Sequence, residues 1–137
     1  MSDYVIPFEK LRNTDVGSVG GKNASLGEMI SQLHAKDVRV PTGFATTAYA
    51  FREFLQHNNL GEKIEAELSN LDINDVISLA KSGAKIRGWI VTTPFPSNLE
   101  KAINIEYDHL TSKSAKGSTF AIRSSATCLL YTSDAAD

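Results

Sequence analysis

From Lys22 to Leu110 the apolar residues recur at helical spacing in five successive stretches, and this pattern dominates what the chain can fold into. Leu26, Met29, Ile30 and Leu33 share one face of a helix predicted over residues 22–34. Thr46 or Thr47 is placed to cap a second helix, which carries Tyr49, Ala50, Phe51, Phe54 and Leu55 and ends at Asn58-Asn59. Leu60, Ile64 and Leu68 mark a third. Asp72 or Asn74 is placed to cap a fourth, with Val76, Leu79, Ala80, Ile86, Trp89 and Ile90 on its buried side and a stop before Pro94. Ser97 caps a fifth, which runs to Leu110 with Leu99, Ala102, Ile103 and Leu110 inward, and a polar loop follows over residues 112–118. Extended runs are short: Tyr4-Val5-Ile6 before Pro7, Val38-Arg39-Val40 leading to Gly43-Phe44-Ala45, and Thr119 to Arg123. The expected class is α+β, helix-rich with a few short strands, whose pairing the pattern leaves open.

Composition narrows the function. The chain has 137 residues, 42% hydrophobic and 22% charged, with a formal net charge of -2 and no basic run. Nothing in it suggests nucleic-acid or membrane-surface binding through bulk charge. No apolar stretch is long enough to span a bilayer, and Met1-Ser2-Asp3-Tyr4 lacks the basic and apolar regions of a signal peptide. Cys128, the single cysteine, cannot form an internal disulfide, so a reducing, cytoplasmic setting is expected.

One helix start carries chemistry. Gly20-Gly21-Lys22-Asn23-Ala24-Ser25-Leu26-Gly27-Glu28-Met29 places two glycines and a lysine where an amphipathic helix begins. Glycine admits close approach of main-chain N–H groups to an oxyanion, the helix dipole favours negative charge there, and Lys22 adds a full positive charge. A phosphate is the natural ligand. It is not a Walker loop, because Val16 stands at the first glycine position and Asn23 at the hydroxyl position. Gly17, Gly20 and Gly21 do not have the dinucleotide spacing either. On its own the triplet is also compatible with an ordinary helix start bearing one solvated lysine.

The second charged position is Arg123. It closes the run Thr119-Phe120-Ala121-Ile122-Arg123 and precedes Ser124-Ser125. A guanidinium suits phosphate because two N–H bonds can form at once, although a strand-end arginine is also a common solvated feature. Trp89 and the aromatics Tyr49, Phe51 and Phe54 read as helix packing. Glu62, Glu65 and Glu67 read as a solvated acidic face, and His34, His57 and His109 as solvated structural histidines.

The C-terminus departs from the rest. Cys128-Leu-Leu-Tyr-Thr-Ser-Asp-Ala-Ala-Asp137 coincides with the translation of a common transposase sequencing adapter. Residues 128–137 are therefore expected to be a non-native tail, and residues 1–127 a truncated, formally neutral segment without cysteine.

Three blocks in order resemble the N-terminal ATP-grasp domain of phosphoenolpyruvate synthase (pyruvate, water dikinase). They are Gly20 to Met29, Val40-Pro41-Thr42-Gly43-Phe44-Ala45-Thr46-Thr47, and Phe120-Ala121-Ile122-Arg123-Ser124-Ser125-Ala126-Thr127. The stretch Leu79 to Ile90 and Thr93-Pro94-Phe95 is similar too, so the resemblance spans nearly all of residues 4–127. Pyruvate, phosphate dikinase shares the Gly-Gly-Lys and Arg-Ser elements but matches less well between them.

The resemblance implies a fold and a reaction. Residues 1–127 would be part of an ATP-grasp nucleotide-binding domain. Lys22 and Arg123 match residues that contact ATP phosphates, Arg123 also assisting phosphoryl transfer, and Gly20 and Gly21 would form the turn before the lysine. Ser124 and Ser125 would lie at the same mouth with no assigned role. The parent enzyme would pass a phosphoryl group from ATP through a histidine to pyruvate, yielding AMP, phosphoenolpyruvate and phosphate in gluconeogenesis. It would be a cytoplasmic homo-oligomer using Mg2+. The magnesium ligands, the phosphohistidine and the pyruvate site are expected beyond Thr127, with no metal site in this segment, so the segment alone is expected to be inactive. The other readings are a pyruvate, phosphate dikinase-like enzyme, a non-catalytic nucleotide-binding module, or a structural helical domain in which the two cations are incidental.

Overall fold

Pro7 marks the end of the first extended run, and it does so as an edge residue of a small sheet. In the computed structural model, which describes residues 3–34, 40–115 and 117–127, strand β1 (Val5–Pro7) pairs antiparallel with β2 (Phe44–Thr46). The register sets Val5 against Thr46, Ile6 against Ala45 and Pro7 against Phe44. Proline lacks a ladder donor, which a two-stranded ribbon tolerates because each strand has one open edge. The helices are α1 (Val16–Val19), α2 (Gly21–His34), α3 (Ala48–His57), α4 (Leu60–Ser69), α5 (Val76–Thr92) and α6 (Ser97–Lys113). Two 3-10 turns, Phe8–Lys10 and Asn13–Asp15, link β1 to α1. The chain divides into two compact units, residues 1–51 with 98–137 and residues 52–97.

In the first unit, Leu11, Val19, Ala24 and Ala45 form the buried cluster, with Ile6 and Phe8 packed on it. The expected apolar face of α2 is only partly the buried one. Ile30 is buried, Leu26 and Leu33 are half-buried, and Met29 is 43% exposed. Ala24 and Gly27 take the most enclosed places because α2 lies almost against the backbone of the preceding turn. A Cβ on Gly27 would sit 2.7 Å from the Leu11 carbonyl oxygen and 2.8 Å from that of Phe8. Small residues set that contact line, and a periodicity of large side chains does not reveal it. Glu28 fastens the same helix to the turn by accepting from the Asn13 N–H at 3.2 Å. Thr47 caps α3: its hydroxyl accepts from the Ala50 N–H at 3.1 Å and donates to the Asp3 carbonyl at 2.7 Å.

The second unit is built on α4 and α5. Glu67 of α4 accepts from Ser82 and Lys85 of α5, while Lys63 lies over the Trp89 ring at 4.1 Å. Contacts that run backward along one helix and forward along the other make the pair antiparallel. Trp89 is half-buried with a cation on its face, so the core role expected for it is only part of its place. Glu67 likewise leaves the solvated face expected for it and bridges the two helices. The cap of α5 is Asp75, not Asp72 or Asn74. Its carboxylate accepts from Ile77 N–H at 3.0 Å, Ser78 N–H at 3.2 Å and the Ser78 hydroxyl at 2.6 Å. Asp72 is already engaged with the Asn74 N–H at 2.9 Å, a local turn that delivers the chain to Asp75. Val76, Leu79 and Ala80 are exposed, contrary to the expected buried side, because α5 meets α4 along the Ser82, Lys85 and Trp89 line instead.

Two boundaries differ from expectation in the C-terminal part. Helix α6 continues through Thr111, Ser112 and Lys113. The hydroxyls of Thr111 and Ser112 donate to carbonyls three residues back, at 3.0 and 2.8 Å, so this polar stretch satisfies itself within a helix. Thr119 to Arg123 forms no strand. A strand needs a ladder partner, and among the described residues β1 and β2 pair only with each other. Phe120 instead packs edge-on against Tyr107 of α6, with ring centroids 5.7 Å apart. Val40 is not in a strand, and Val38 and Arg39 lie outside the described residues, as does the tail from Cys128 onward.

Candidate functional site

The Gly-Gly-Lys triplet lies where one helix stops and another starts. Helix α1 ends at Val19, and Gly20 follows with φ 84° and ψ 158°, a left-handed backbone that L side chains rarely adopt. Its N–H donates to the Val16 carbonyl at 2.8 Å, and its own carbonyl accepts from Ala24 N–H at 3.1 Å. Gly20 thus closes α1 and opens α2 in a single residue. Gly21 is the first residue of α2, with nothing within 4 Å of where a Cβ would be. Lys22 follows on the exposed side of that first turn. The opening turn of a helix carries N–H groups with no intrahelical partner and the positive end of the dipole.

The far end of the chain comes to this turn. The Ser125 hydroxyl donates to the Val19 carbonyl at 2.7 Å, across 106 positions of sequence. Ser125 and Ala126 also fill the space beside Gly20: a Cβ there would collide with the Ser125 hydroxyl and stand 2.7 Å from the Ala126 carbonyl oxygen. Gly20 is buried as a result. Arg123, exposed, is two residues before Ser125 on the same segment. The two segments read separately as candidate phosphate contacts therefore meet at one turn.

The Val19 carbonyl has a second donor that sequence reasoning overlooked. Asn23 Nδ2 donates to it at 2.8 Å from the first turn of α2. A helix-terminal carbonyl is one of the groups a helix cannot satisfy internally, and its two lone pairs accommodate two donors. Asn23 had a faint signal, an amide side chain directly after a Gly-Gly-Lys turn. The resemblance places Ser125 at this mouth without a role, and no spacing rule supplies its partner 106 positions away.

His57 and His109 are exposed, and the side chain of His34 lies outside the described residues. Glu67 is held below its ordinary carboxylate value by the Lys85 and Ser82 bonds, within the α4–α5 pair. Among the described residues no three His, Cys, Asp or Glu side chains are grouped to hold a metal ion. No helix among the described residues is long and apolar enough to cross a membrane.

The family model described as pyruvate phosphate dikinase, AMP/ATP-binding domain, matches residues 16–129. Phosphoenolpyruvate synthase of Neisseria meningitidis serogroup B is 56% identical over 126 residues, which is 91% of this chain and 16% of the relative. The proteins of the same name from Deinococcus radiodurans and Escherichia coli are 52% and 50% identical, over 91% and 92% of the chain and 16% of each relative. The chain thus spans about a sixth of the length of the curated relatives it matches.

Proposed function

The chain belongs to the pyruvate phosphate dikinase AMP/ATP-binding domain family, and from that premise we propose that it is the N-terminal part of a phosphoenolpyruvate synthase and supplies one wall of the ATP phosphate site. The observation that carries this reading is the meeting of the Gly20–Lys22 turn with the Arg123–Ser125 segment at the Val19 carbonyl. Gly20 makes the turn and Gly21 leaves the phosphates room at the backbone, Lys22 and the opening turn of α2 offset their charge, and Arg123 contacts the same phosphates and follows the group in transfer. Phosphoryl transfer of this kind is governed by positioning and charge stabilisation, which these residues provide without acting as acid or base. The parent would be a cytoplasmic, homo-oligomeric ATP-grasp enzyme of gluconeogenesis. It would pass the phosphoryl group through a histidine to pyruvate, with Mg2+, that histidine and the pyruvate site supplied outside residues 1–127.

In the full-length polypeptide carrying this segment, Lys22→Ala and Arg123→Ala are each expected to slow the ATP half-reaction by roughly 100-fold or more. The exchange between phosphoenolpyruvate and the histidine should survive. Equal loss of both half-reactions would sink the assignment. The family description favours one second reading, a pyruvate, phosphate dikinase. A strict requirement for inorganic phosphate as co-substrate would select it.

A further inference from the structure

We propose that Ser125 and Asn23 are positioning residues for the phosphate site: together they clamp the Val19 carbonyl and so hold the Gly20-Gly21-Lys22 turn in one conformation beside Arg123. This rests on the reading of Lys22 and Arg123 given above and adds what keeps them in place.

The need for a clamp follows from the glycines. Gly21 lets a ligand approach the backbone, but two glycines in succession also give the turn more conformational freedom than any other residue pair. A site that stabilises charge has to be ordered before the ligand arrives. Fixing the Val19 carbonyl fixes the plane of the Val19–Gly20 peptide, the hinge on which the turn would otherwise swing. Asn23 holds it from the α2 side at 2.8 Å and Ser125 from the C-terminal segment at 2.7 Å. Gly20 has its left-handed φ of 84° and its missing Cβ filled by Ser125 and Ala126, so the segment also packs against the hinge.

The clamp does the same for Arg123. Residues 119–123 have no ladder to hold them. Their anchors are the Phe120 ring against Tyr107, three residues before Arg123, and the Ser125 hydroxyl two residues after it. Arg123 is therefore suspended between two fixed points, one of which is the lysine turn itself. The Ser125 bond ties the segment that carries Arg123 to the turn that carries Lys22.

The test uses the full-length polypeptide and the two half-reactions. Ser125→Ala should raise the KM for ATP by about 3- to 10-fold, the range expected when one neutral hydrogen bond is lost. It should leave the phosphoenolpyruvate half-reaction unchanged, and Ser125→Thr, which keeps the hydroxyl, should restore the KM. Ser125→Ala combined with Asn23→Ala should raise the KM by more than the product of the single effects, because only then does the carbonyl lose both donors. An unchanged KM for ATP in Ser125→Ala, with or without a fall in melting temperature, would overturn the clamp if Lys22→Ala raises that KM. Were Lys22→Ala and Arg123→Ala also without effect, the phosphate-site reading would fall first and the clamp with it.

Discussion

The two glycines before Lys22 look equivalent in sequence and are not equivalent in place. Gly20 has φ 84° and no room for a Cβ, whereas Gly21 opens α2 with open space around it. Gly20→Ala should therefore destabilise the chain by about 1–3 kcal/mol and displace the Ser125 segment. Gly21→Ala should be close to neutral for folding. Chemical denaturation of the two variants side by side measures the difference, and equal midpoints would contradict the role given to Gly20. The residues with intrinsic chemistry, Lys22 and Arg123, stand out in the sequence because charge beside glycine or hydroxyl is a local pattern. Ser125 does not, because its importance lies in what it touches, and its partner is 106 positions away.

Among the elements, helices are the legible part. Their signals are local, so α2 and α4 begin within a residue of expectation and Thr47 caps α3 as its position suggests. What the pattern misjudges is which helix face is used. In α5 the contact with α4 is polar, through Ser82 and Lys85 on Glu67, and an apolar count does not register it. That contact has an acid limit. The Lys85 and Ser82 bonds lower the Glu67 carboxyl from its ordinary 4.5, so its stabilising contribution is complete above about that pH. It is lost as pH falls through the lower folded value. Trp89, with Lys63 and Lys85 near its ring, is a local reporter. Trp89 emission should change on acidification below about pH 4.5, and Glu67→Gln should remove that change. An identical titration in the variant would show that Glu67 does not govern the pair.

For the molecule as a whole, strands are the illegible part, because a ladder requires a partner that no local pattern supplies. Only the β1–β2 ribbon forms among the described residues, while Thr119–Arg123, an apolar run expected as a strand, joins no ladder, with Ile122 99% exposed. Ile73 and Val91 are 77% and 83% exposed, and the chain covers 16% of the relatives' length. Apolar surface on this scale suits a segment whose neighbours lie elsewhere in a longer polypeptide. The 137-residue chain alone should accordingly release no AMP in a pyruvate-dependent assay. Turnover by the purified chain would refute the division of labour proposed here.

The bond from Ser125 to Val19 also orders events in time. Each helix can form from neighbours within a few turns, but this contact must close a loop of 106 positions. On the ribosome, Lys22 emerges early and its helix has its sequence complete long before Ser125 is translated. The glycine turn is then an unlatched hinge on a finished helix. Competence to grip a phosphate waits for Ser125, 106 positions beyond the carbonyl it fastens.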